Sequence, residues 1–262
     1  MLRMTRPTIG LALGSGGARG FSHLGVIKKL REHKIPIDYI AGSSMGALVG
    51  AFYAAGQNVD DLYKLALTFK RKYFMDVSVP RMGLLQGERI KSYIRLFTYK
   101  KTIEEFTIPM SIVATDLYTG DKVVFRDGDA ASAVRASISI PGVFVPEKIN
   151  DQFLVDGGVI DRVPISVVRD MGADIVIAVD CSKFEANGDI QSIYDVIMQS
   201  IDIMQDDITD HMMIDADIVM RPEVYQFSSR NYSNTAEILQ KGEEEAERRI
   251  AEIQTLMKGW NQ

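Results

Sequence analysis

The chain alternates between short, continuous apolar runs and longer stretches in which apolar residues return every three or four positions. The first pattern is typical of buried strands, and the second is typical of helices with one face against a core. Predicted strands are residues 8–13, 35–40, 109–115, 122–125, 152–155, 174–180 and 218–220. Predicted helices are residues 21–30, 45–55, 60–69, 130–137, 165–171, 190–208 and 239–257. This alternation predicts an α/β layered fold.

Residues 69–101 depart from this pattern, because aromatic residues alternate there with lysine and arginine. Such a segment suits contact with a membrane surface or a lipid headgroup. A solvated helix face backed by core aromatics explains the same residues with fewer assumptions, and both explanations stay open. No repeat, low-complexity run or linker divides the chain. We therefore predict one domain over 1–262, with its motifs within 8–180 and a helical C-terminal part over 181–262.

Composition narrows the possible functions. The chain has 262 residues, of which 46% are hydrophobic, and this is enough to bury a full core. A net charge of -5 argues against a general nucleic-acid binder. One cysteine and three histidines supply too few ligands for a structural zinc site, so we expect neither metal nor cofactor. The N-terminus lacks the apolar core of a secretory signal, which predicts a cytoplasmic protein with at most a peripheral membrane contact.

The first candidate for chemistry is the sequence GSSMG at 42–46, between a predicted strand and a predicted helix. It fits the pattern Gly-x-Ser-x-Gly of a nucleophile elbow, with Ser44 at its centre and Ser43 as a bystander. Gly42 and Gly46 leave room for a tight, strained turn. An ordinary glycine-rich turn with a capping serine explains the motif equally well when it is taken alone.

A second glycine loop, GSGGARG at 14–20, also lies between a strand and a helix. Its backbone N–H groups can converge on an anion, either a phosphate or an oxyanion. The spacing of its glycines does not match the dinucleotide fingerprint, and no Walker lysine follows. For Arg19 three roles stay open: orienting the loop, meeting a lipid phosphate, or forming a surface ion pair.

The third motif is DGG at 156–158, which follows a predicted strand. By itself it is compatible with a plain tight turn. Together, a serine, a set of oxyanion donors and a carboxylate are the minimum set for acyl transfer. His211 is a poor candidate for the base of a triad, and His23 and His33 lie at the two ends of a predicted helix. The residues therefore favour a dyad of Ser44 and Asp156, in which burial raises the pKa of the carboxyl.

These motifs, together with RASISIPGVF at 135–144, resemble the patatin-like phospholipases, in particular a bacterial group akin to neuropathy target esterase. The resemblance covers roughly residues 8–180. It implies a three-layer fold with a central, mostly parallel sheet flanked by helices. It also implies that Ser44 is the nucleophile, Asp156 its base, and the N–H groups of Gly16 and Gly17 the oxyanion hole. The residues that support these motifs are Gly14, Arg19, Gly42, Gly46, Gly157 and Gly158; Ser15 stands where members often carry glycine.

The expected function is that of a serine acyl hydrolase acting on carboxylic esters of lipids, either phospholipids or lysophospholipids. One alternative is a catalytically silent protein of the same fold that binds a lipid or a phosphate and regulates a partner. Another is a nucleotide- or phosphate-binding module in which Ser44 is only a turn residue. The sequence carries no signal for the oligomeric state.

Overall fold

The structure, a computed structural model, describes residues 6–70, 76, 82–182, 190–230 and 232–260. The strands are β1 (Ile9–Leu13), β2 (Tyr39–Ser43), β3 (Gly83–Leu85), β4 (Met110–Asp116), β5 (Lys122–Phe125), β6 (Gly142–Phe144), β7 (Glu147–Ile149), β8 (Gln152–Asp156), β9 (Ile175–Val179) and β10 (Ile218–Met220). The helices are α1 (Ser22–Glu32), α2 (Met45–Ala54), α3 (Val59–Thr68), α4 (Glu88–Phe97), α5 (Ala130–Ser137), α6 (Ile165–Asp170), α7 (Ile193–Met212) and α8 (Thr235–Gly259).

The main sheet has the strand order β10-β9-β1-β2-β4-β8-β7, and β5 also pairs with β4. The strands from β10 to β4 run parallel to one another. By contrast, β5 and β8 run antiparallel to β4, and β7 runs antiparallel to β8. A separate short pair joins β3 to β6. The central sheet is therefore mostly parallel, with an antiparallel region at one side.

Alternate residues of the central strands face two different cores. On β1, Ile9, Leu11 and Leu13 belong to a large core with α1, α2, α3 and α8, whereas Ala12 belongs to a smaller core with α6. The parallel strands are buried on both faces, as strands between two helical layers are. These layers confirm the predicted fold class, a mostly parallel sheet flanked by helices.

The predicted strand at 35–40 is displaced, because β2 begins only at Tyr39. Pro36 has no N–H group for a ladder, and β2 is paired on both sides, so the strand starts after the proline. The sequence analysis did not predict β3, α4, β6 or β7. Parts of the predicted basic segment 69–101 and of the helical C-terminal part 181–262 lie outside the described residues. No helix in the described ranges is long and apolar enough to cross a bilayer.

Candidate active site

Ser44 occupies a sharp turn between β2 and α2. Its backbone has φ 53° and ψ −122°, a conformation that is strained for a residue with a side chain. A Cβ atom at Gly46 would collide with the carbonyl oxygen of Leu13, and one at Gly42 would lie 2.6 Å from the Cα atom of Ala47. Glycine at these two positions lets the turn lie directly against β1 and the first turn of α2.

The strand register brings Asp156 to the level of Ser44. In the parallel pair of β2 and β4, Ser43 lies opposite Val113, so that Ser44 comes level with Ala114. Ala114 lies opposite Asp156 in the antiparallel pair with β8, which takes the same edge of β4 beyond the end of β2, because β5 occupies the other edge along residues 112–115. Two residues 112 positions apart in the chain therefore meet at one edge of β4, where its pairing passes from β2 to β8.

The side chains of these two residues are in direct contact. The Ser44 hydroxyl donates to Asp156 Oδ2 at 2.6 Å, and both residues are about 95% buried, with 6% and 5% of their surface exposed. The other carboxylate oxygen, Oδ1, accepts a hydrogen bond from Gly158 N at 2.8 Å. The Asp156 carbonyl accepts from the Thr115 hydroxyl at 2.9 Å. The carboxylate is thus held in one orientation toward the serine.

The environment of Asp156 changes its acidity. Burial raises the pKa of the carboxyl to about 7, and the hydrogen bonds from Ser44 and Gly158 oppose that rise without cancelling it. A carboxyl with this pKa is a far stronger base than an ordinary aspartate. It can hold a proton and release it again near neutral pH, as an acid–base group must.

The glycine loop reaches the cleft that Ser44 lines. Among the described residues, no hydrogen bond is formed by the N–H of Gly16 or Gly17. Gly17 has φ +54° and lines the same cleft as Ser44, at the start of the helical turn that leads into α1. The neighbouring N–H groups are all engaged: Gly14 with Val179 O, Ser15 with Arg162 O, Ala18 with Ser229 O, and Arg19 with Gly16 O.

The other motif residues pack the loop and the elbow together. The Ser15 hydroxyl donates to Ser43 Oγ at 3.2 Å, and Ser43 is fully buried. A Cβ atom at Gly158 would collide with Ser15 Oγ, and one at Gly157 would lie 2.7 Å from Ser43 Oγ. The serine that replaces glycine at position 15 therefore links the loop to the elbow.

Arg19 connects the glycine loop to the C-terminal part of the chain. Its guanidinium donates to the carbonyls of Phe227 at 2.7 Å and Tyr225 at 3.0 Å. These bonds end on main-chain oxygens, and among the described residues Arg19 forms no salt bridge. The geometry supports the alternative in which Arg19 orients the loop.

All three histidines have partners away from Ser44. His23 is fully buried, and its Nε2 lies 2.7 Å from the Gly14 carbonyl; burial lowers its pKa to about 4. His33 contacts a glutamate of α8, and His211 contacts a main-chain carbonyl of its own helix. None of these arrangements places an imidazole where it can take the Ser44 proton.

Ser44 lies in an apolar cleft of about 740 Å³, including the open mouth. Leu48, Leu85 and Ile140 form part of its wall, and Tyr194 and Arg230 reach it from the C-terminal part of the chain. Sequence motifs gave no signal for these two C-terminal residues. Within the stretch that carried the family resemblance, the sequence also missed Ser137, whose hydroxyl accepts the Ser44 N–H at 2.9 Å.

A buried arginine holds together the segments that form one wall of this cleft. Arg135 is 1% exposed, and its guanidinium donates to the carbonyls of Gln86 at 2.6 Å and Val145 at 2.9 Å. It also bonds to the Ser139 hydroxyl. These contacts tie the ends of β3 and β6 to α5.

Known proteins share both the sequence pattern and the fold. A family model described as patatin-like phospholipase matches residues 11–169. An NTE family protein of Mycobacterium tuberculosis is 42% identical over 183 residues, which cover 69% of this chain and 51% of that protein. The mouse protein named patatin-like phospholipase domain-containing protein 6 is 34% identical over 185 residues, 68% of this chain and 14% of that protein. The chain thus spans about half the length of the mycobacterial relative.

Two solved structures resemble the fold. VipD from Legionella pneumophila has a TM-score of 0.70 at 13% identity, covering 95% of this chain and 67% of that one. The type III effector protein ExoU has a TM-score of 0.52 at 15% identity, covering 94% of this chain and 53% of that one. At these identities the likeness concerns the fold alone. Because the family model matches more than half of its length, the chain belongs to the patatin-like phospholipase family.

Proposed function

We propose that this chain is a serine acyl hydrolase that cleaves carboxylic esters of lipids through a dyad of Ser44 and Asp156. The observation that carries the proposal is the 2.6 Å hydrogen bond to the buried Asp156 carboxylate from the hydroxyl of Ser44, which lines an apolar cleft. Family membership supports a lipid as the substrate. The lining of the cleft supports it as well, because most of the side chains that would contact an acyl chain there are apolar.

In the first half of the proposed reaction, Ser44 Oγ forms a bond to the ester carbonyl carbon while its proton passes to Asp156 Oδ2. The carbonyl oxygen becomes an oxyanion, which the N–H groups of Gly16 and Gly17 stabilise. A donor of this type typically lowers the barrier by roughly 3 kcal/mol. The intermediate then breaks the bond to the alcohol oxygen, which takes the proton from Asp156 and leaves as an alcohol or lysolipid.

In the second half, a water molecule attacks the acyl-enzyme. Asp156 accepts one proton of that water while the new carbon–oxygen bond forms, and the same two N–H groups stabilise the second oxyanion. Cleavage of the bond to Ser44 Oγ releases the fatty acid, and the serine oxygen recovers its proton from Asp156. One group with a pKa near 7 thus serves as base and acid in turn.

We also infer a peripheral contact with an anionic lipid surface through the described part of 69–101. Leu96 and Tyr99 expose 61% and 55% of their surface at the end of α4, close in the chain to the exposed Lys100. Apolar side chains next to lysine suit the boundary between headgroups and acyl chains. Two other basic residues of this region are already paired, Lys91 with Glu147 and Arg95 with Asp129.

A panel of purified esters tests the function. Phospholipid, lysophospholipid and a neutral nitrophenyl ester are each incubated with the wild type and with Ser44→Ala. We expect release of fatty acid from at least one of them by the wild type, and none by the variant. A folded wild type that hydrolyses none of the three, or a Ser44→Ala variant with full activity, would contradict the proposal.

A further inference from the structure

Helix α7 turns polar side chains toward the protein and apolar side chains toward solvent. Asp202, Gln205 and Thr209 are buried on its inner side. Its outer side carries apolar residues with between 48% and 71% of their surface exposed: Ile193, Val196, Ile203, Met204 and Ile208. A surface helix of a soluble protein normally has the opposite arrangement, and a large exposed apolar patch on a monomer is usually a binding surface.

Polar contacts on the inner side hold α7 in this orientation. Asp202 Oδ1 accepts a hydrogen bond at 2.9 Å from the guanidinium of Arg162, which is itself buried. Gln205 Nε2 donates to the Val159 carbonyl at 2.8 Å. A rotation of the helix that buried its apolar side would separate Arg162 from its carboxylate and leave a buried charge unpaired. The apolar side is therefore covered only by another molecule.

The charge of this segment limits which molecule that is. From Ile190 to Asp217, every charged residue apart from His211 is an aspartate. An anionic lipid surface attracts lysine and arginine and repels such a segment. A protein surface with an apolar strip of its own fits the outer face of α7 better.

The outer face of α7 is complementary to itself when two copies pack antiparallel. Val196, Ser200, Met204 and Ile208 lie four residues apart and form one ridge along the helix. With a twofold axis between Ser200 and Met204, Ser200 lies opposite the partner's Met204, and Val196 lies opposite the partner's Ile208. A small residue opposite a large one lets the two ridges interlock. The Ser200 hydroxyl already donates to the Val196 carbonyl at 2.7 Å, so covering it leaves no donor unpaired.

The aspartates of α7 favour the antiparallel arrangement over a parallel one. Asp206 and Asp207 lie in the C-terminal half, whereas Asp195 in the N-terminal half is paired with Arg230. A parallel pair would place the two copies of Asp207 side by side. In the antiparallel pair they lie about 15 Å apart along the helix, beyond the Debye length of about 8 Å at physiological ionic strength. Each acidic half then lies beside the positive N-terminal end of the other helix.

We propose that the outer face of α7 is a homodimer interface, in which the α7 helices of two copies pack antiparallel around Ser200 and Met204. A helix of 20 residues presents a face about 30 Å long and about 10 Å wide. This is smaller than a standard interface, which buries about 800 Å² on each partner. The dimer is therefore reversible, with a dissociation constant in the micromolar range.

Sedimentation velocity of the full chain, from nanomolar to high micromolar concentrations, measures the association. We expect the wild type to pass from monomer to dimer over this range. Met204→Asp should weaken dimerisation by more than about 30-fold, as truncation of a central interface residue does. Ile214→Asp is the matched control, because it makes the same kind of change at an exposed apolar residue beyond the end of α7, and it should keep the wild-type dissociation constant. If Met204→Asp does not fold, Ser200→Arg blocks the same ridge by its bulk.

Cross-linking tests the direction of the helices. The variants Val196→Cys and Ile208→Cys are mixed and treated with a short bifunctional thiol reagent, and the wild type, whose Cys181 is buried, is the blank. The antiparallel pair predicts a link between the two variants. It predicts none within Val196→Cys alone, since those two residues lie about 18 Å apart along the helix.

A wild type that stays monomeric at the highest concentration would overturn the proposal, and binding of that monomer to zwitterionic vesicles would assign the face to a neutral lipid surface instead. A dimer that Met204→Asp and Ser200→Arg leave unchanged would overturn it as well. So would a link within Val196→Cys alone, which indicates parallel helices. None of these measurements uses ester hydrolysis, so their outcome is independent of the proposed function.

Discussion

Replacing Asp156 with asparagine is expected to abolish hydrolysis and to stabilise the fold by a margin that grows with pH. Asparagine keeps nearly the same shape, and its side-chain oxygen still accepts the hydrogen bond from Gly158 N. It cannot accept the Ser44 proton. Neither can it ionise, so it escapes the cost of holding a charge in a fully buried place.

The sign and size of the margin follow from the pKa of Asp156. Burial raises it from 3.8 to about 7, so folding favours the protonated form. Below the unfolded pKa, the buried carboxyl does not lower the free energy of unfolding. The free energy of unfolding then falls as the pH rises toward the folded pKa, and it falls no further above that pKa. At about 1.4 kcal/mol per pKa unit, this lowers the free energy of unfolding by about 2 kcal/mol at pH 5 and by about 4 kcal/mol at pH 8. Asp156→Asn does not undergo this loss, so the difference in free energy of unfolding between the variant and the wild type grows by roughly 2–3 kcal/mol from pH 5 to pH 8.

Urea unfolding of the wild type and of Asp156→Asn at pH 5, 6.5 and 8 measures this margin, since other titrating groups cancel between the two proteins. Ester hydrolysis of the same samples gives the activity. A stability difference that is the same at every pH would refute the raised pKa of Asp156. Retained hydrolysis by the folded variant would refute its role as the base.

Three further outcomes follow from the site and its surroundings. Gly17→Val should lower turnover by at least about 100-fold, because a side chain there collides with the Ser229 carbonyl and displaces an oxyanion donor; full turnover in a folded variant would assign the loop to packing. His211→Asn should keep full activity. His23→Asn should keep the wild-type dependence of rate on pH, even if its melting temperature changes. A variant whose rate no longer depends on the ionisation of a base would indicate a triad instead. Binding to anionic vesicles, measured by sedimentation, should fall with added salt and should be weaker in Leu96→Asp and Lys100→Glu. Binding that changes neither with salt nor in these variants would indicate a solvated helix face.

Much of this fold is predictable from the sequence because its central strands are buried on both faces. Continuous apolar runs such as the one in β9 have few alternatives to a buried strand, and β5 and α5 have the predicted bounds. Ser44 and Asp156 were identifiable because each lies in a glycine-flanked motif. Their roles as nucleophile and base stay predictions that the labelling and variant experiments decide.

The remaining features depend on long-range geometry. No local pattern indicates that β8 runs antiparallel to β4, yet this register alone brings Asp156 level with Ser44. Tyr194 and Arg230 reach the cleft from distant segments, and no motif distinguishes them from surface residues. The short strands β3 and β6 have three residues each, too few for a periodicity to show.

Covalent labelling with a fluorophosphonate tests the identity of the nucleophile most directly. The probe is added to the wild type, to Ser44→Ala and to Ser43→Ala, and the modified peptide is mapped by mass spectrometry. Ser43 is the natural control, because it is the adjacent serine and its buried hydroxyl accepts a hydrogen bond from Ser15. We predict a single label on Ser44, its loss in Ser44→Ala and its retention in Ser43→Ala. A label on Ser43, or none on folded wild-type protein that hydrolyses esters, would contradict the account.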